Sequence, residues 1–277
     1  MNDLSLADRT AHRNNGNKTL TIAYGDTLPA GGAEQNVVLL HGYCGSSAYW
    51  EQLLPLISKP GRRIITPDAR GHGRSSSPDE GVYTMDEMAD DVIALMDELG
   101  IERFIVLGHS MGGYVSLSLA ERYAARLLGF GLVHSTAYPD SDAARANRDR
   151  AVAKIAEEGI GKFVEGLVPN LFAPDADAKL LEHSIQIGRQ TNAAGAQASA
   201  LGMKERPDRL NVIESSSLPV LLLSGKKDGV IPSERTFTSS RNGVSQVLLE
   251  QAGHMGMMEA PQSMADAVNR YLDAITG

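Results

Sequence analysis

Short apolar runs recur along the chain, and each ends at a segment of glycine or polar residues. The runs are rich in Val, Ile and Leu and are too short to be helices. Continuous apolar stretches of this length are typical of strands that are buried on both faces of a parallel sheet. Six such strands are predicted, at 37–40, 63–66, 104–107, 128–133, 219–223 and 244–249.

Helical patterns lie between these runs. From 84 to 100, apolar residues recur every three or four positions, Thr84 and Glu87 are spaced as an N-terminal capping box, and Gly100 is placed as a C-terminal stop. A second helix is predicted over 113–128. Strands that alternate with helices predict an α/β fold, with a mostly parallel sheet and helices on both of its faces. In such sheets, ligands bind beyond the carboxyl ends of the strands.

The alternation stops between 136 and 217, where no buried strand pattern occurs. We expect residues 1–135 and 216–277 to form the core, and residues 136–215 to be an inserted helical cap that lies over the strand ends as a lid. The alternative is that this segment simply extends the core. Four helical segments are predicted within it, at 142–158, 161–168, 176–189 and 193–204.

The charge and composition of the chain indicate which kinds of molecule it binds. The chain of 277 residues has a formal net charge of −8, which argues against nucleic acid or an anionic membrane. No apolar run reaches the length of about 18 residues that a membrane span needs. Cys44 is the only cysteine and the polar N-terminus carries no secretion signal, so we expect a cytoplasmic protein that acts on a small molecule. No phosphate-loop or metal-ligand motif occurs, so neither a cofactor nor a metal is expected.

Ser110 is the first candidate for chemistry. It lies between Gly108 and Gly112, directly after a predicted strand and before a predicted helix. In such an elbow the glycines remove Cβ atoms that would collide, and the serine is held in a strained conformation with its hydroxyl exposed. The pattern predicts a nucleophile, and the alternative is an ordinary tight turn that contains a serine.

Two further residues complete a hydrolytic arrangement. A serine hydroxyl needs a base, and the base needs an acid that orients it. His254 lies in a glycine-flanked loop after the last predicted strand, and Asp228 follows the strand before it. The alternatives are a turn-capping role for Asp228 and a surface loop position for His254.

The chain resembles the α/β-hydrolase superfamily from about Thr19 to Tyr271. The chain order of serine, aspartate and histidine is also the order found in that superfamily. The resemblance points to a serine-nucleophile, esterase-like member with a helical lid. It is carried by HGYCGSSAYW (41–50), PDARGHGRS (67–75), GHSMGG (108–113), and the pair SGKKDGVIP (224–232) and AGHMGMMEAP (252–261).

The resemblance also implies the role of each residue. Ser110 would be the nucleophile, His254 the base and Asp228 the residue that orients it. The backbone N–H groups of Tyr43 and Met111 would form an oxyanion hole. Two fixed donors of this kind stabilise the negative oxygen of a tetrahedral intermediate.

The expected activity is hydrolysis of a carboxylic ester. Because only 5% of the residues are aromatic, we expect a modest pocket and small or medium acyl chains. The same arrangement serves lactonases, thioesterases, perhydrolases and hydrolases of carbon–carbon bonds. A ligand-binding receptor on the same fold is the alternative from another class. The predicted pocket residues are His134, Phe163, Leu167, Leu171, Phe172 and Met255. The alternative for the four residues from the cap is that they hold the cap on the core.

Overall fold

The computed structural model describes residues 6–15, 18–29, 32–79 and 81–275. Residues 1–5, 16–17, 30–31, 80 and 276–277 of the predicted core lie outside this part. The described part contains one eight-stranded sheet in the order β1-β2-β4-β3-β5-β6-β7-β8, in which β1 and β2 are antiparallel to their neighbours and β3 to β8 pair in parallel. The strands are β1 (Arg9–Asn15), β2 (Lys18–Asp26), β3 (Gln35–Leu40), β4 (Arg62–Pro67), β5 (Phe104–His109), β6 (Leu127–Val133), β7 (Val220–Gly225) and β8 (Val244–Leu249). The predicted α/β class with a mostly parallel sheet is confirmed.

Helices connect the strands and cover the sheet. None of the helices in the described part is both long and apolar enough to cross a membrane. They are α1 (Leu54–Ile57), α2 (Met85–Glu98), α3 (Met111–Arg122), α4 (Asp142–Leu167), α5 (Ala178–Gly188), α6 (Ala193–Glu205), α7 (Leu210–Ser215), α8 (Ser233–Thr236), α9 (Gly256–Glu259) and α10 (Pro261–Asp273).

Strand β3 shows where the core lies. Val37 and Leu39 pack into the hydrophobic cluster on one face of the sheet, and Val38 and Leu40 pack into the cluster on the other. All four side chains are buried. The continuous apolar run in the sequence therefore reflects burial on both faces, because helices cover both sides of the sheet.

The sequence-based prediction was wrong about the strands at the two edges of the sheet. Strand β8 was predicted to be buried on both faces, but it is the edge strand and is partly exposed along most of its length. Strands β1 and β2, which form the opposite edge, were not predicted at all. The sequence of β1 is RTAHRNN, in which the one apolar residue, Ala11, packs into the core, so the strand shows no apolar run.

Helix α2 begins and ends where the sequence predicted. The Thr84 hydroxyl accepts a hydrogen bond from the Glu87 N–H at 3.1 Å, and the Glu87 carboxylate accepts one from the Thr84 N–H at 2.9 Å. Gly100 follows the helix with a φ of +66°, a conformation that glycine adopts without strain. The capping box and the glycine stop are both confirmed.

The segment between β6 and β7 is a helical insertion made of α4, α5, α6 and α7. Helix α4 is kinked at Gly159, which has φ 80° and ψ 166°, and this is the boundary predicted between the first two helical segments. The Tyr43 hydroxyl donates to the Ala196 carbonyl at 3.0 Å, and the His254 N–H donates to the Leu171 carbonyl at 2.8 Å. The insertion therefore contacts the loops that follow β3 and β8, at the carboxyl edge of the sheet.

Candidate active site

Ser110 lies at the sharp turn between β5 and α3. Its φ is 51° and its ψ is −112°, a strained conformation for a residue with a side chain. Its N–H donates to the Val133 carbonyl at 3.0 Å, and its carbonyl accepts from the Ser135 hydroxyl at 2.7 Å. These bonds to the end of β6 hold the strained turn in place, and Ser110 is more exposed than the residues on either side of it.

The glycines around Ser110 are required by close backbone contacts. A Cβ atom on Gly108 would lie 2.0 Å from the Gly112 carbonyl oxygen, and one on Gly112 would lie 2.4 Å from the Leu40 carbonyl oxygen. Neither distance is possible for real atoms, and the opposing atoms belong to the backbone. The structure therefore shows the close approach of strand and helix that was predicted from the two glycines.

Asp228 and His254 form a buried hydrogen bond. Asp228 Oδ2 lies 2.8 Å from His254 Nδ1, and Oδ1 accepts from the N–H groups of Val230 and Ile231, both at 2.9 Å. Burial raises the pKa of Asp228, but the His254 charge and the contacts with the imidazoles of His134 and His254 outweigh it and hold the pKa well below its usual range. The carboxylate therefore stays ionised and fixes the orientation of the His254 ring.

His254 lies beside the elbow. His109, the residue before Ser110, has its Nε2 2.9 Å from the His254 carbonyl oxygen, and the two ring centroids are 5.0 Å apart. Among the described residues, neither the Ser110 hydroxyl nor His254 Nε2 has a hydrogen-bond partner. The structure thus brings Asp228 and His254 into direct contact and Ser110 into their neighbourhood, without a hydrogen bond between Ser110 and His254.

Two backbone N–H groups adjoin Ser110. Met111 is the first residue of α3, so its N–H has no acceptor within the helix. A Cβ atom on Gly42 would lie 3.2 Å from Ser110 Cβ, which places the Gly42–Tyr43 backbone against the predicted nucleophile. The Tyr43 side chain points away to the insertion, where its ring contacts the ring of Phe163 with centroids 6.1 Å apart.

His134, which the sequence predicted as a pocket residue, is a third histidine at this site. It has a φ of 48°, is fully buried, and its Nδ1 lies 3.4 Å from Asp228 Oδ2. Burial lowers the pKa of His134, although Asp228 acts in the opposite direction, and the lowered pKa favours the neutral ring. A Cβ atom on Gly256 would lie 2.4 Å from His134 Nε2, so a glycine makes room for the ring.

Three side chains at this site are spaced as metal ligands could be. The ligand-type atoms of His134, Asp228 and His254 lie within 4.8 Å of one another. However, Asp228 Oδ2 and His254 Nδ1 are already bonded to each other, and Oδ1 accepts two backbone N–H groups. We therefore interpret the cluster as a hydrogen-bonded one. The sequence predicted the Asp228–His254 pair but not the contact of His134 with Asp228, because His134 follows a different strand.

Glu259 supports the His254 loop and was missed in the sequence. Its carboxylate accepts hydrogen bonds from the N–H groups of Gly253 at 2.9 Å and Met255 at 3.0 Å, on either side of His254. It also accepts from Ala173 N–H in the insertion at 2.7 Å. Burial raises the pKa of Glu259, and these N–H donors oppose that shift. The only local signal was an acidic residue in an apolar segment after the histidine.

The remaining predicted pocket residues lie in apolar packing. Met255 is fully buried, and the residues from the insertion pack with it in one core cluster. This packing corresponds to the alternative in which they hold the insertion on the core. Their role in an acyl pocket stays a prediction. The insertion residues are Phe163, Leu167, Leu171 and Phe172.

A family profile and two solved structures that are similar to this chain are described as hydrolases. The sequence profile of the family described as alpha/beta hydrolase fold matches residues 35–186. A thermophilic esterase from Thermogutta terrifontis, solved with malate bound, superimposes with a TM-score of 0.89 and 31% identity over 97% of this chain and 100% of that one. A hydrolase from Pseudomonas aeruginosa PA01 gives a TM-score of 0.85 and 25% identity over 97% and 100% of the two chains.

One curated relative is named as a lactonase. The 3-oxoadipate enol-lactonase 2 of Acinetobacter baylyi is 30% identical over 76% of this chain and 78% of its own length. The matched profile spans more than half of the chain and includes β3 to β6 with the elbow at Ser110. Sheet order, elbow and profile thus agree, and the chain belongs to the α/β-hydrolase fold family.

Proposed function

We propose that this hydrolase cleaves carboxylic esters with small or medium acyl chains, through an acyl-enzyme formed on Ser110. The observation that carries the proposal is the strained Ser110 elbow beside a buried Asp228–His254 hydrogen bond. A buried ionised carboxylate, an oriented imidazole and a serine that is only partly buried are the groups that nucleophilic acyl transfer needs.

In the first half-reaction, Ser110 Oγ attacks the ester carbonyl while His254 Nε2 accepts the hydroxyl proton. The Asp228 carboxylate keeps the other proton of the ring on Nδ1 and stabilises the imidazolium that forms. The N–H groups of Tyr43 and Met111 donate to the oxygen that becomes negative. The intermediate collapses, the proton moves from His254 to the leaving alkoxide, and an alcohol departs.

In the second half-reaction, water attacks the acyl-enzyme carbonyl. His254 takes a proton from the water and returns it to Ser110 Oγ as the acyl bond breaks. The products are a carboxylic acid and the free enzyme. A lactone is a cyclic ester and reacts by the same steps, and the similarity to an enol-lactonase favours lactones as a second candidate substrate.

The test is hydrolysis of p-nitrophenyl esters from acetate to decanoate by wild type and by Ser110→Ala. We expect wild type to turn over the shorter esters, and Ser110→Ala to lose at least about 10⁴-fold in kcat, because the nucleophile is absent. Ser58→Ala removes an exposed hydroxyl at the end of α1 and is the matched control. Equal activity of wild type and Ser110→Ala would exclude Ser110 as the nucleophile.

A further inference from the structure

A cavity of about 380 Å³ lies between the helical insertion and the core. The start of α4 forms its outer wall, and its inner wall includes Tyr114, Val230 and Ile231. Pockets that hold small organic ligands have volumes from about 300 Å³ upwards. The cavity is therefore large enough for part of a small substrate.

The inner wall belongs to the same segments as the candidate active site. Tyr114 lies in the first turn of α3, four residues after Ser110. Val230 and Ile231 donate the two N–H groups that hold Asp228 Oδ1. The cavity thus adjoins the loop that holds the Asp228 carboxylate and the first turn of α3 after Ser110.

The charges in this cavity are predominantly positive. Three arginines and a single carboxylate line it: Arg148, Arg206, Arg235 and Asp140. Asp140 lies 2.6 Å from Arg206 Nη1, and it accepts a hydrogen bond from Arg148 Nε at 3.0 Å. One carboxylate cannot balance three guanidinium groups, so the cavity is cationic in a chain whose net charge is −8.

Two of the arginines keep donors available. In the described part of the chain, no group accepts a hydrogen bond from Nη1 or Nη2 of Arg148, whose side chain is only 25% exposed. The Arg235 guanidinium lies 4.8 Å from the centre of the Tyr138 ring and has no hydrogen-bonded acceptor among the described residues. Arg206, in contrast, also donates to the carbonyl groups of Met203 and Tyr138.

The Arg148 charge reaches the loop that follows β3. Burial raises the pKa of Tyr43, and the Arg148 charge acts in the opposite direction. Burial also raises the pKa of Cys44, again against the Arg148 charge. The Arg148 charge therefore acts on the Tyr43–Cys44 segment, and Gly42 before this segment contacts Ser110.

We propose that this cavity binds a carboxylate of the substrate through Arg148 and Arg235, so that the preferred esters carry a negative charge at the end remote from the scissile bond. A guanidinium offers two parallel N–H donors that match the two oxygens of a carboxylate. Asp140 and Arg206 form the fixed pair that holds Arg148 in place. The proposal rests on the proposed function, because it names the substrate class of the same site.

The first experiment compares two esters that differ only in the terminal group. Mono-p-nitrophenyl adipate ends in a carboxylate, and p-nitrophenyl hexanoate ends in a methyl group. We expect wild type to have a kcat/KM for the adipate ester at least about tenfold above that for the hexanoate ester. Arg148→Gln should lower this ratio about 10- to 100-fold, which is the range for loss of a charged hydrogen bond. Arg148→Lys, which keeps the charge without the planar fork, should lower it less.

Two variants make the comparison specific. Arg235→Gln changes an exposed side chain and should lower the ratio without affecting folding. Arg150→Gln removes the same charge from an exposed position on the same helix, outside the lining of the cavity, and should leave the ratio unchanged. Arg148→Gln should fold, because Asp140 keeps its contact with Arg206.

Binding of adipate, measured by calorimetry without any hydrolysis, separates this proposal from the proposed function. Hydrolysis of both esters with an equal ratio in wild type and Arg148→Gln would overturn the carboxylate site and leave the esterase function intact. Absence of hydrolysis, with adipate binding that Arg148→Gln abolishes, would overturn the esterase function and support the site. Absence of both hydrolysis and binding would overturn both.

Discussion

At the scale of single residues, the backbone around Ser110 leaves no room for side chains at the flanking glycines. A Cβ atom on Gly112 would lie 2.4 Å from the Leu40 carbonyl oxygen, and neither strand β3 nor helix α3 can move without disturbing the sheet. We expect Gly112→Ala to lower the free energy of unfolding by about 1–3 kcal/mol through overpacking. Urea unfolding measures this change.

The matched control for Gly112→Ala is a glycine-to-alanine substitution at a position where the added Cβ atom contacts nothing. Gly161 lies in α4, and a Cβ atom there would meet no atom within 4 Å. Gly161→Ala should raise the free energy of unfolding by about 0.5–1 kcal/mol, because alanine favours helix over glycine. Equal effects of the two substitutions would contradict the steric explanation.

Asp228 should make stability depend on pH. Burial raises its pKa, but the His254 charge and the contacts with both imidazoles hold the pKa well below its usual range. A carboxylate with a lowered pKa stabilises the fold above the pKa of the unfolded chain, about 3.9, and this contribution is lost as the pH falls below that value. Asp228→Asn should therefore unfold with about 2 kcal/mol less free energy than wild type at pH 7.

The pH series for Asp228→Asn is the decisive measurement. The difference in unfolding free energy from wild type should be constant above about pH 5 and should shrink as the pH falls towards about 3. Asp266→Asn, at an exposed position on α10, is the control. A difference for Asp228→Asn that stays the same at every pH would show that its carboxylate is not coupled to the fold in this way.

The role of a single residue could be predicted from the sequence only where its sequence neighbours form a recognisable pattern. Ser110 was marked by Gly108 and Gly112, and the structure gives these glycines the expected steric reason. Arg148 and Glu259 carry no local mark. The Asp140 partner of Arg148 lies outside α4, and the Glu259 carboxylate also accepts from Ala173 in the insertion. Charged side chains whose surroundings are set by tertiary packing cannot be assigned from periodicity.

At the scale of elements, strands buried on both faces were predictable and edge strands were not. Burial on both faces forces a continuous apolar run, as in β3, β5 and β7. An edge strand lacks that constraint, so polar β1 was overlooked and β8 was assumed to be buried. Helix limits were predictable where a cap or a glycine fixed them, as at Thr84 and Gly159.

The short segment from β8 to α9 depends on one carboxylate. Glu259 accepts hydrogen bonds from Gly253 and Met255, which flank His254, and from Ala173 in the insertion. Glu259→Gln keeps the size of the side chain but replaces charged acceptors with a neutral amide. We expect the free energy of unfolding to fall by about 2 kcal/mol, measured by thermal unfolding.

The control for Glu259→Gln is Glu234→Gln, at an exposed position on α8. It changes the charge by the same amount without breaking a contact to the backbone. We expect its melting temperature to match that of wild type. Equal melting temperatures for both variants would show that the Glu259 bonds do not stabilise the segment.

At the scale of the whole molecule, the candidate site depends on the complete sheet. Ser110, Asp228 and His254 follow β5, β7 and β8, and the helical insertion separates the first of them from the other two. The order of these segments was predictable, because parallel strands bring their carboxyl ends to one edge. The cationic cavity was not, because its walls come from both the insertion and the core.

The start of the insertion has a consequence for protein engineering. His134 lies against Asp228, Ser135 donates to the Ser110 carbonyl, and the Thr136 hydroxyl donates to the Arg235 carbonyl at 2.7 Å. The first residues after β6 therefore support the candidate site and lie before the first helix of the insertion. A chimaera that grafts another helical segment onto this sheet should be joined after Thr136, since a junction at Val133 would remove three supports of the site together.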